Sequence, residues 1–182
     1  MSVSSLKAPL STPCWHCRHF GGSPRQPTTR LIAFCLRPGD PSGPYRHDDM
    51  AAGCARWEAS ERLPMRLLVC GSLTCTDRHA VFHALDLVLT RRRVDTLIHG
   101  AAAGVDTVAD QWAVAREIQR QVFPVSPEQW ARVGLAASPL RNTRMLLEGR
   151  PDGVVAFPGG PGTEDMVLQA RVAGIPVWRP YE

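Results

Sequence analysis

Residues 65–71 read MRLLVCG, a short apolar run closed by a glycine, and this run decides the fold. Upstream of it the chain is rich in Pro, Gly, Ser and Arg, with few aliphatic runs long enough for a helix or a buried strand. Downstream, strand-like runs alternate with amphipathic stretches to the C-terminus. Pro64 marks the joint. Two parts are therefore expected: residues 1–62, which read as an addition, and residues 65–182, which read as an autonomous domain.

The second part opens with a strand at 66–70, the loop Gly71-Ser72-Leu73-Thr74, and a helix burying Val81, Ala84, Leu85 and Val88, with Asp77 placed as its first-turn carboxylate. A second strand, 96–99, runs into Gly100-Ala-Ala-Ala-Gly104. Asp106 then begins a helix burying Val108, Ala109, Trp112 and Ala115. A third strand falls near 121–125. After an irregular stretch with Trp130 and a turn at 139–142, a short helix at 143–148 leads to a fourth strand, 153–157. Pro158-Gly-Gly-Pro-Gly-Thr163 follows, then a helix at 164–173 and a fifth strand at 175–178.

Such alternation with right-handed crossovers gives a parallel sheet with helices on both faces, an α/β, doubly wound, Rossmann-like domain of about five strands. The expected strand order is 3-2-1-4-5. Ligands of such sheets sit beyond the carboxyl ends of the strands where the order reverses, here between strands one and four. Those strands end in Gly71-Ser72 and Gly159-Gly160-Pro-Gly162, with Gly100 to Gly104 beside them. Glycines at helix N-termini let backbone N–H groups approach an anion, and Thr163 adds a hydroxyl. Glu164 and Asp165 read first as complements to the helix dipole.

Composition narrows the chemistry. The 182 residues are 44% hydrophobic and 21% charged, typical of a globular chain. Neither an apolar run of about 18 residues nor a signal-peptide pattern is present, so no membrane span and a cytoplasmic location are expected. Lys7 is the only lysine among 21 cations, which sets aside a P-loop and a pyridoxal Schiff base. Residues 1–62 hold eight cations against five carboxylates and the remainder thirteen against twelve, so charge alone does not indicate a nucleic-acid binder. G-x-G-x-x-G, G-x-S-x-G and H-E-x-x-H are all missing, leaving nicotinamide dehydrogenase, esterase and zincin readings unsupported.

The first part carries Cys14, Cys17, Cys35 and Cys54, a C-x2-C pair followed by single cysteines after gaps of 17 and 18 residues. So small and aliphatic-poor a segment buries too little to fold alone, and a cytoplasmic chain cannot count on disulfides. A structural Zn2+ ion held by four thiolates supplies the missing free energy and makes this a small zinc-ribbon-like module. Free thiols and an iron–sulfur cluster are the alternatives. His16, His19 or His47 could replace a cysteine. Trp15, Phe20, Phe34 and Trp57 read as cover for the metal site.

The runs Gly71-Ser72, His99-Gly100-Ala-Ala-Ala-Gly104-Val-Asp106, Arg141-Asn142-x-x-Met145 and Ala156-Phe-Pro-Gly-Gly-Pro-Gly-Thr163 resemble the SLOG superfamily. Lonely Guy phosphoribohydrolases and DNA-processing protein A belong to that superfamily, and the nearest likeness is to its YspA-like branch. The resemblance covers residues 66–180. It implies a domain binding nucleotides or nucleotide-derived signals, with Gly159, Gly160, Gly162 and Thr163 as a phosphate cradle and Gly71 and Ser72 as the opposing loop. Arg141 and Asn142 would approach phosphate or ribose. Asp106 either reaches ligand hydroxyls or caps its own helix. A homodimer paired through helices beside the crevice is also implied.

Two departures bear on catalysis. Lonely Guy enzymes carry a glutamate three residues after this threonine, where the chain has Met166; the YspA-like branch commonly has an arginine soon after Gly-Ser, where it has Leu73. Glu164 would point about 200° around the helix from Met166, a poor substitute. A binder that senses or sequesters its ligand is therefore the leading expectation. A nucleotide N-glycosidic hydrolase using Asp106 or Glu164 comes second, and a single-stranded nucleic-acid adaptor third. Cys70 and Cys75 lie outside the four-cysteine set, and no nucleophile is assigned.

Overall fold

A computed structural model describes residues 64–181 and, before them, the backbone of two short strands, β1 (Ile32–Phe34) and β2 (Tyr45–His47), paired antiparallel with Ala33 opposite Arg46. Cys14, Cys17, Cys35 and Cys54 lie outside the described residues, as do Trp15, His16, His19, Phe20 and Trp57. Pro64–Leu85 and Val94–Glu182 form one compact unit, and the site below lies within it.

That unit is built on a five-stranded sheet. Its elements run β3 (Pro64–Cys70), α1 (Arg78–Leu89), β4 (Arg93–His99), α2 (Val105–Ala115), β5 (Gln119–Val122), α3 (Pro127–Val133), α4 (Ala137–Leu147), β6 (Gly153–Ala156), α5 (Pro161–Val172) and β7 (Val177–Trp178). The strand order is β5-β4-β3-β6-β7, which is the expected 3-2-1-4-5. The pairs β4–β5, β3–β6 and β6–β7 are parallel. A doubly wound Rossmann-like sheet is thus observed.

Burial follows strand position. Leu67 to Cys70 of β3 and all of β6 are buried, as befits central strands covered on both faces, whereas the edge strand β5 is largely exposed. One side of the sheet packs Leu68, Cys70, Ile98, Val154 and Ala156 under Met145 of α4 and Met166, Val167 and Ala170 of α5. Alternation sends Leu67 and Val69 to the other side. No helix among the described residues is long and apolar enough to cross a membrane.

Local chemistry sets the boundaries. Asp77 lies just outside α1 and caps it, its Oδ1 accepting from Ala80 N–H at 2.9 Å. Ser126 and Gln129 form a capping box that starts α3, so Trp130 is helical rather than irregular. The turn expected at 139–142 is instead the opening of α4: Pro139 falls in the first turn, where its missing N–H costs nothing, and Asn142 donates to another helix rather than to its own backbone.

Two helices end in the same motif with different residues. Past α5, Ile175 N–H donates to Ala170 O and Gly174 N–H to Arg171 O, with Gly174 at φ 73°. Past α2, Ile118 N–H donates to Ala113 O and Glu117 N–H to Val114 O, but the left-handed position holds Glu117 at φ 57°. An L side chain there costs about 1 kcal/mol. Glu117→Gly is accordingly expected to stabilise the protein by about 1 kcal/mol and Gly174→Ala to destabilise it by a similar amount. Urea unfolding of the two variants beside the parent chain measures both.

Candidate functional site

The order reversal at β3 opens a crevice between the loops that leave β3 and β6. Gly71 has no room for a side chain: a Cβ there would lie 2.6 Å from Val105 Cγ2 and 2.8 Å from Phe157 Cβ. Beyond it, Ser72 N–H donates to Pro158 O at 3.0 Å, and Ser72 O accepts from Val105 N–H at 3.1 Å. The Ser72 hydroxyl turns back on Thr74, 2.9 Å from Thr74 Oγ1 and accepting from Thr74 N–H. Gly71 therefore faces the crevice while the polar atoms of Ser72 stitch the three loops together.

Opposite stands the N-terminus of α5. Gly160 is its N-cap and Pro161 its first residue; no side chain caps it, so the positive end of the helix dipole opens toward the crevice. Gly159 packs beneath Thr163, since a Cβ at Gly159 would lie 2.2 Å from Thr163 Oγ1. The buried Thr163 keeps its hydroxyl uncommitted to any other described residue.

Asn142, buried in α4, ties the two helices by donating from Nδ2 to Gly162 O at 2.9 Å and to Asp165 Oδ2 at 2.8 Å. Gln169 Nε2 donates to the same Asp165 oxygen at 2.8 Å. Asp165 is thus part of a helix strap. Glu164 points away from the crevice, exposed and paired with Arg179. Met166 is fully buried in the core.

The third side is the loop after β4. Asp106, in the first turn of α2 and 5% exposed, turns back on that loop, where its Oδ2 accepts from Gly100 N–H at 3.0 Å and Ala102 N–H at 3.1 Å. Between them Ala101, at φ 58°, donates its N–H to His99 Nδ1 at 3.3 Å. His99 Nε2 then lies 3.1 Å from Asp110 Oδ1, and Asp110 also pairs with Arg120 at 2.9 Å. The buried His99 is thereby fixed in the Nε2–H tautomer. Three successive loop amides are satisfied by side chains, and the other oxygen of Asp106 remains open.

Arg141 arches over Gly100, donating from one terminal nitrogen to Gly100 O at 3.0 Å; a Cβ on Gly100 would strike the guanidinium at 2.5 Å. Ser138 Oγ lies 3.5 Å from its other terminal nitrogen, too far for a good hydrogen bond. Its Nε is buried without a partner, and no described carboxylate pairs with it.

These parts enclose a cavity of about 180 Å³. Gly71, Asp106, Arg141, Asn142, Gly160, Gly162 and Thr163 line it. Ser72, Gly100, Gly104 and Gly159 stand behind the wall and set its shape. Gly104, at φ 72°, has Ser72 O only 2.1 Å from where its Cβ would be. Glu164 is outside. Sequence reasoning missed Ser138, which no motif flags, and gave Val69, Cys70 and Met145 no place on the cavity wall. Burial, reinforced by the charge of Asp106, pushes the Cys70 thiol up to about 12, so it is a packing group. Cys75 is not among the residues that line the cavity. Among the described residues no three His, Cys, Asp or Glu side chains are grouped to hold a metal ion.

Burial also raises the Asp106 carboxyl above its ordinary range, against the opposing pull of the Ala102 amide, Arg141 and the Gly100 amide. The folded state then holds this proton more tightly than the unfolded chain does. Its contribution to stability is complete below the ordinary carboxylate pKa and lost as pH rises through the folded value. Asp106→Asn is expected to flatten the stability profile between about pH 4 and neutrality, read by urea unfolding across that range. An unchanged slope would show that Asp106 ionises as it does in the unfolded chain.

Residues 65–130, from β3 into α3, match the model of the family described as YspA, cpYpsA-related SLOG. The Gene 61 protein of Mycobacterium phage D29 is 38% identical over 119 residues, an alignment that takes in 62% of this chain and 93% of that protein. No solved structure matches. The extent of the phage relative covered, together with a family match that takes in Gly71 and the Gly100 to Asp106 loop, means that the chain belongs to the YspA, cpYpsA-related SLOG family.

Proposed function

We propose that the crevice binds a nucleotide or a nucleotide-derived signal, with a phosphate at the α5 N-terminus beside Thr163 and Arg141 and a ribose hydroxyl donating to Asp106. One observation carries this reading: the Thr163 hydroxyl, the Arg141 guanidinium and an open oxygen of Asp106 face one cavity beside an uncapped helix end. Two donors and a dipole suit an anion, while a carboxylate facing them suits a hydroxyl donor. Family membership supports a nucleotide-related role.

Binding without turnover is the leading form of the proposal. Met166 is buried among apolar side chains, Glu164 is held by Arg179 on the outside, and Asp106 is the single carboxylate among the described residues that line the cavity. Cleavage of an N-glycosidic bond requires water to add at the anomeric carbon as the bond to the base breaks and the base takes up a proton. Asp106, with its raised carboxyl pKa, is the group that favours that second reading.

Two further expectations stay as part of the proposal. Cys14, Cys17, Cys35 and Cys54 hold a structural Zn2+ ion, on the strength of their spacing. A homodimer pairs through α4 and α5, which flank the crevice and expose Leu140, Leu147, Leu168 and Val172. Light scattering on the eluted protein reads the latter.

The decisive experiment incubates the purified chain with a panel of nucleotides, separates free from bound by filtration, and chromatographs both fractions. Intact nucleotide in the protein fraction is expected. Arg141→Ala and Thr163→Ala should each weaken binding about tenfold, the value of a lost charge-assisted hydrogen bond. Free base in the filtrate, abolished by Asp106→Asn, would replace this reading with the hydrolase. Elemental analysis of the same preparation should find zinc equimolar with the chain and lost in Cys17→Ser; a zinc-free folded protein would remove the metal from the proposal.

A further inference from the structure

We infer that the crevice reads the ribose 5-phosphate portion of its ligand and leaves the base outside, against Leu73. The inference rests on the nucleotide reading above and concerns which part of the nucleotide is recognised. Size is the first argument. Pockets that enclose a drug-sized ligand run from about 300 to 1,000 Å³, and this cavity is about 180 Å³. A phosphate and a pentose fill it; a base attached to them has no enclosed space.

The second argument is the inventory of groups. Among the described residues no aromatic side chain lines the cavity, so none of them is there to stack on a base. Reading a base edge takes matched donors and acceptors. Both N–H groups of Asn142 are spent on Gly162 O and Asp165, and Ser138 sits beside the guanidinium of Arg141. Thr163, the helix end and Arg141 suit phosphate, which leaves the open oxygen of the buried Asp106 for the sugar.

Leu73 then fixes the exit. It lines the mouth, is 64% exposed, and its backbone abuts Gly104 of the loop that Asp106 holds. A ribose held at Asp106 directs its base past this side chain. Apolar contact with one face of a ring favours every base alike. Discrimination instead falls on the sugar, because an analogue lacking a hydroxyl leaves a buried carboxylate oxygen unpaired.

Calorimetric titration of the full chain with ribose 5-phosphate, inorganic phosphate, AMP, GMP, CMP, UMP and their 2′-deoxy forms tests this. The four nucleotides should bind within about threefold of one another, and ribose 5-phosphate within about tenfold of AMP. Each 2′-deoxy form should be weaker by about tenfold or more. Leu73→Ala should lower the affinity of all four nucleotides by a common factor and leave ribose 5-phosphate unchanged. One nucleotide binding about a hundredfold tighter than the rest, or ribose 5-phosphate failing to displace any nucleotide, would overturn the inference and leave the nucleotide reading standing. Binding by none of these compounds would remove that reading and the inference with it.

Discussion

The peptide that leaves β3 has no space for a side chain, and the rest of the site depends on that. With Val105 on one side and Phe157 on the other, Gly71 lets the ends of β3, β4 and β6 close to within hydrogen-bonding distance through Ser72. A larger residue would push α2 or the exit of β6 outward and open the cavity on which Asp106, Thr163 and Arg141 converge. The order reversal of a doubly wound sheet creates a crevice in any such fold. Here the width of that crevice is set by one missing Cβ.

Much of this is legible in the amino-acid sequence. Apolar runs such as LLVC and GVVA are readable as central strands because both their faces are covered, and the alternation with amphipathic helices leads directly to the observed strand order. The start of α4 was not legible, because Pro139 and Asn142 are both turn-favouring residues when taken locally. Their actual roles depend on position within the helix and on a carbonyl 20 residues away. Periodicity carries no trace of such a tertiary hydrogen bond.

The site divides in the same way. Pro158 to Thr163 announces a helix N-terminus through composition alone, so its place on the cavity was foreseeable. Asp106 was harder, because a carboxylate near a helix start usually caps its own helix. Only the fold of the preceding loop turns it back onto Gly100 and Ala102. That arrangement also accounts for the loop glycines: Gly100 makes room for the Arg141 guanidinium, and Gly104 for the backbone of Ser72 and Leu73. Met166 shows the converse, since it is fully buried beside Val167 and Ala170, where a carboxylate in its place would lose its hydration.

The strap between α4 and α5 has a thermodynamic consequence. Asn142, Asp165 and Gln169 join the helix that carries Arg141 and Ser138 to the helix whose N-terminus carries Thr163. Those groups are held in register by the folded chain before any ligand arrives, so the ordering entropy on that wall is spent during folding and not during association. Leu73, 64% exposed at the mouth, has no part in that strap. The crevice therefore behaves as a mould with one soft lip.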